Sequence, residues 1–97
     1  MITDHERSKL KDLIDDAFGA PTKATAKRFI SSLESQASFL RTKLTPYAYG
    51  KLQEVISSCI TGSGQVRDKE QWIKRANSSW YTFERVSKET SGNQESI

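Results

Sequence analysis

"QWIKRANSSWYTFERV", residues 71–86, holds both tryptophans of the chain, with one tyrosine and one phenylalanine set among cations. Aromatics mixed with Lys and Arg suit either a nucleic-acid surface or one side of a packed helix, and their spacing decides between the two. At ~100° per residue, Trp72, Ile73, Ala76, Trp80, Phe83 and Val86 fall within an arc of roughly 140°, the width of a core-facing stripe. The indoles are therefore expected to point inward, where large aromatics dominate core energetics. The opposite side of this helix reads differently. If the helix begins before Arg67, then Arg67, Lys74, Ser78, Tyr81, Arg85 and Lys88 stack into one line, and Tyr81 is the aromatic within it.

Three further helices precede this one. Thr3 and Glu6 have the spacing of a capping box, in which each side chain satisfies a free backbone N–H of the other residue. Leu10, Leu13, Ile14, Ala17 and Phe18 then recur on one helical face, and Gly19 and Pro21 signal a stop. A second helix is expected from about Thr22 to Leu44, with Phe29, Ile30, Leu33, Ala37, Leu40 and Leu44 on one stripe and Ala26 beside it. Thr45-Pro46 marks a break and a new start, because Thr caps well and proline at the first helical position loses no hydrogen bond. The third helix carries Ala48, Leu52, Val55, Ile56, Cys59 and Ile60 on one side, and "TGSG" at 61–64 ends it. Both Ser63 and Asp68 can cap the fourth helix, whose end is expected near Thr90.

These patterns predict an all-α fold, a small bundle of four amphipathic helices with short connections. The shortness of the Leu44–Pro46 link leaves room for a steep crossing of the second and third helices. Residues 1–90 read as a single domain and 91–97 as a polar C-terminal tail. Only 5 glycines and 2 prolines argue against a turn-rich all-β chain. Leu, Ile, Val and Phe together make 20 of 97 residues, so the core is lean and patterning must compensate for quantity.

Charge is modest, at +3, short of the excess of a protein that coats nucleic acid. It is unevenly spread. Residues 21–45 carry Lys23, Lys27, Arg28, Arg41 and Lys43 against Glu34, while Asp12, Asp15 and Asp16 cluster late in the first helix. Phe39 stands off the apolar stripe of the second helix, either filling a gap against a neighbouring helix or offering an exposed anchor to a partner.

Catalytic chemistry finds little support. His5 and Cys59 are the one histidine and the one cysteine. Cys59 lies within an apolar stripe, where a thiol behaves as a small hydrophobe. His5, Asp12 and Asp16 share a side of the first helix, but Lys9 among them opposes a metal, and Lys9–Asp12 pairing on a solvated face is expected instead. Gly62-Ser63-Gly64 lacks the spacing and the Lys-Ser/Thr of a phosphate loop. No catalytic residues, metal or cofactor are expected. The charged start is unlike a signal or transit peptide, no apolar run approaches the ~20 residues of a membrane span, and a single cysteine fits a reducing compartment. A cytoplasmic location without membrane contact is the expectation.

The expected function is non-catalytic binding by a small regulator, inhibitor or adaptor. It would dock on a larger protein with an acidic surface through Arg67, Lys74, Tyr81, Arg85, Lys88 and Phe39. The alternative is nucleic-acid binding, with the basic second and fourth helices on the phosphate backbone. Self-assembly into a homo-oligomer is also compatible with the sequence.

Overall fold

The capping box read at Thr3 and Glu6 forms in full. The Thr3 N–H donates to Glu6 Oε1 at 2.8 Å, and the Glu6 N–H donates to Thr3 Oγ1 at 3.0 Å. A computed structural model of the chain describes residues 2–96, with side chains described for residues 2–87. Among these, four α-helices and no strand are present: α1 (Asp4–Gly19), α2 (Lys23–Leu40), α3 (Pro46–Gly62) and α4 (Lys69–Ser96), with a 3₁₀ turn at Arg41–Lys43. The fold is a small all-α bundle. Lys88 and the polar tail expected at 91–97 lie outside the described side chains.

Each boundary has a local cause. Gly19 is the last residue of α1 and has no positive φ; the stop falls instead at Ala20, whose extended backbone (ψ 137°) precedes Pro21. Thr22 caps α2 by accepting the Thr25 N–H at 3.2 Å. The second helix ends earlier than the sequence suggests. After Leu40 the chain tightens into the 3₁₀ turn, and Leu44 is extended ahead of Thr45. Thr45 then accepts the Ala48 N–H at 3.1 Å, with Pro46 in the first helical turn as expected. The fourth helix starts after Asp68, so Arg67 precedes it.

The chain folds as two helical hairpins. α1 packs extensively on α2 and α3 on α4, with smaller contacts of α3 on α1 and α2 joining the pairs. Leu10, Ile14, Leu33, Leu40, Leu52, Val55, Ile56, Cys59 and Phe83 are fully buried where they meet. Trp80 is buried and stacks obliquely on Phe83, with centroids 5.2 Å apart at 37°. Trp72, Ile73 and Val86 pack against this core from its edge. Lys43 and Glu6, far apart in sequence, form a salt bridge: Lys43 Nζ lies 3.0 Å from Glu6 Oε2. The Thr3 N–H, and after it Lys43, holds the Glu6 carboxyl below its ordinary value.

The α3–α4 link depends on two glycines for different reasons. A Cβ on Gly62 would fall 2.2 Å from Trp72 Cβ and 3.1 Å from a Phe18 ring carbon, so glycine lets α4 approach the end of α3. Gly64 adopts φ +78°, a left-handed turn that other residues resist. Lys69 Nζ then donates to the Gly64 carbonyl at 3.1 Å, tying the start of α4 to this turn. Ile60 departs from the expected stripe. It lies roughly 120° from the centre of the buried arc of α3 and is 45% exposed.

Two stability predictions follow from this packing. Trp80→Ala is expected to lower the unfolding free energy by about 3–5 kcal/mol, whereas Tyr81→Ala, one residue on, costs no more than about 1 kcal/mol. Urea titration of both variants measures the difference, and similar losses would contradict the inward setting of Trp80. Gly62→Ala is expected to cost about 1–3 kcal/mol through overpacking. Gly19→Ala should be neutral or stabilise by up to about 1 kcal/mol, since nothing lies within 4 Å of a Cβ there. Thermal denaturation of the pair checks the contrast.

Candidate functional site

With Trp80 anchored in the core, the helical repeat turns the next residue outward. Tyr81 is 62% exposed where Trp80 is 7% exposed. Arg85, one turn further on, lies over the Tyr81 ring, 6.0 Å from its centroid. Lys74, Asn77, Ser78 and Thr82 complete a shallow depression beside the phenol. All four residues of the expected line that fall on the described part of α4 (Lys74, Ser78, Tyr81 and Arg85) are exposed.

The surface continues in two directions. Arg67 lies ahead of the helix but borders a second depression together with Lys69 and Lys74. Across α4, an open groove of ≈ 600 Å³ runs between α3 and α4, lined by Glu54, Ser57 and Ser58 on one side and by Lys74, Arg75 and Ser79 on the other. Ser79 Oγ donates to Glu54 Oε1 at 3.0 Å across this groove. Lys74 is common to the groove and to both depressions. The structure therefore brings Arg67, Lys74, Tyr81 and Arg85 into one continuous strip. Acidic side chains interrupt it: Asp68 and Glu70 flank Arg67 and Lys74.

Phe39 is not part of this strip. It is 58% exposed, so it fills no gap in the core. It stands on α2, which packs on α1 and α3 and not extensively on α4. Lys43 sits 5.3 Å from its ring centroid. Lys88 lies outside the described side chains.

The structure also exposes Tyr47 (59%), which the sequence reading passed over. Its ring is faced by Lys51 at 5.5 Å. Phe39–Lys43, Tyr47–Lys51 and Tyr81–Arg85 share one spacing, an aromatic followed four residues later by a cation. That spacing places the pair one above the other on a helix, and it was visible in the sequence. Trp72 is covered differently: Arg75 lies 4.8 Å from its ring centroid, and its indole N–H donates to Asp68 Oδ2 at 3.1 Å. Asp68 thus spends its carboxylate on the indole, while its carbonyl accepts the Gln71 N–H at 3.0 Å.

Cys59 is fully buried, and burial, reinforced by the charge of Asp15, pushes its thiol up to about 12. A thiol held protonated at neutral pH is a poor nucleophile. On α1 the ion pairs that form at helical spacing among the described residues are Asp4–Arg7 and Lys11–Asp15, the latter at 2.7 Å, and not Lys9–Asp12. Among the described residues no group of three or more His, Cys, Asp and Glu side chains could hold a metal ion, and no helix is long and apolar enough to cross a membrane. The structure defines the class of the molecule, a four-helix all-α bundle with a basic, tyrosine-bearing face. No protein-family model matches the chain, and no curated protein and no solved structure matches it.

Cys59 provides a pH test of the packing. Its folded value lies above the ordinary 9.0, so the folded state holds the proton more tightly than the unfolded chain. The stabilisation is complete below pH 9 and is lost as pH rises toward about 12. Stability is expected to fall across that window with a slope that Cys59→Ala removes. Ellman's reagent should leave the native thiol untouched at pH 8 and label it in urea.

Proposed function

We propose that this protein is a non-catalytic docking module whose contact surface is the strip on α4 centred on Tyr81. The observation that carries this reading is the exposed phenol beside a buried indole, with Arg85 over the ring and Lys74 in the depression beside it. Tyr and Arg are the residues most often found at energetic centres of protein interfaces, because each offers a large contact area together with hydrogen bonds.

The partner best suited to such a strip is a larger protein presenting carboxylates. Positive charge would speed its approach and select it over basic surfaces. A role as a small regulator, inhibitor or adaptor fits a module without chemistry of its own. Phe39 and Tyr47, each faced by a lysine, offer separate aromatic contacts on other parts of the surface.

The test is capture of the partner by the tagged protein, with and without nuclease, compared between the wild type, Tyr81→Ala and Lys74→Glu/Arg85→Glu. Capture of a protein is expected to survive nuclease and to fall by about tenfold or more in either variant, as for an interface hot spot worth at least about 1.4 kcal/mol. Unchanged capture by both variants would remove the α4 strip from the proposal. Loss of capture on nuclease treatment, with saturable DNA or RNA binding that weakens steeply with salt, would replace it with phosphate-backbone binding.

A further inference from the structure

We propose that the cleft between the first half of α2 and the end of α3 binds a short aliphatic carboxylate, on a surface separate from the α4 strip. The cleft measures ≈ 370 Å³ and is lined by Lys23, Lys27, Ile30, Glu34, Ile60 and Ser63. That volume lies in the range of small-molecule sites, ~300–1,000 Å³. Ser63 caps α3 through its backbone N–H, which donates to the Cys59 carbonyl at 3.0 Å, but two side-chain features of the cleft are not explained by the packing. Ile60 leaves the buried stripe of α3 and is 45% exposed. Ser63 is fully buried, yet its hydroxyl has no hydrogen-bond partner. A buried hydroxyl without an acceptor costs stability, and such groups call for a functional explanation.

The carboxylate end is set by charge. Lys23 and Lys27 stand one turn apart at the start of α2, and neither has an ion-pair partner among the described residues. The positive end of the helix dipole lies at the same place. The left-handed turn at Gly64 lies close to this end: a Cβ there would meet the Lys23 backbone nitrogen at 3.1 Å. That contact seats Ser63 beside the first turn of α2. An anion drawn in by the two ammonium groups supplies the acceptor that the Ser63 hydroxyl lacks.

The aliphatic body is set by the walls. Ile30 and Ile60 line the middle of the cleft, and no aromatic ring does. Glu34 lies one to two helical turns beyond Lys27 and repels a second negative charge. A monoanion with an apolar chain fits this order of groups better than inorganic phosphate, which would leave the isoleucines unused.

The test is an amide NMR titration of the whole protein with octanoate, with octanamide and inorganic phosphate as comparison probes. Octanoate is expected to shift Ile30, Ile60 and Ser63 saturably. Octanamide, and octanoate on the Lys23→Glu/Lys27→Glu variant, should bind about tenfold more weakly or worse, the loss expected from one charge-assisted contact. Ser63→Ala should weaken binding several-fold while leaving the melting temperature equal or higher. Circular dichroism confirms that each variant folds, and the substituted lysines are exposed. Four results would overturn the proposal: no saturable shift with octanoate, equal binding of octanamide, no loss in the double lysine variant, or saturation by phosphate alone.

Discussion

The rotational setting of α4 rests on Trp80 and Phe83. Both are buried, their rings lie 5.2 Å apart, and they fill the space where α4 meets the rest of the bundle. A helix has one degree of freedom about its axis, and two large aromatics on one side consume it. Every other assignment on α4 follows from that constraint. Ala76 turns inward because it shares their arc, and Tyr81 turns outward because it does not. Moving the indole to solvent would forfeit several kcal/mol of burial, far more than any surface contact of Tyr81 could return.

The second constraint acts at the α3–α4 link. Gly62 lets Trp72 come within a distance that no side chain allows, and Gly64 turns the chain through a left-handed conformation. Together they bring the start of α4 against the end of α3, where Lys69 fastens it to the Gly64 carbonyl. The same turn holds Ser63 beneath the α2–α3 cleft. One short loop therefore positions both the proposed docking strip on α4 and the proposed carboxylate site, although the two surfaces are separate.

The exposed aromatics follow a common rule. Phe39, Tyr47 and Tyr81 each lie under a cation one helical turn later. Such a pair shields part of the ring from water while the cation keeps its own hydration, so a lean bundle can carry aromatics on its surface at little cost. It also leaves the ring edge and a positive charge side by side, the combination that the proposed carboxylate-bearing partner would meet.

The periodicity of apolar residues was enough to place four helices and most of their inward faces, and residue types placed the caps at Thr3 and Thr45, because these depend on neighbours within one turn. The orientation of Trp80 and Tyr81 was legible for the same reason. The sequence could not show that Gly62 serves close approach, since Trp72 and Phe18 meet it only in three dimensions. Nor could it separate Phe39 from Tyr81, which needs the packing of α2 against α4 to be known. Ile60 and Ser63 were likewise invisible: a residue at the edge of a stripe is buried or bare according to what lies opposite it. Local spacing thus determined the elements and their faces, and the tertiary structure decided which faces meet, because contacts between distant residues leave no mark on the spacing of either one.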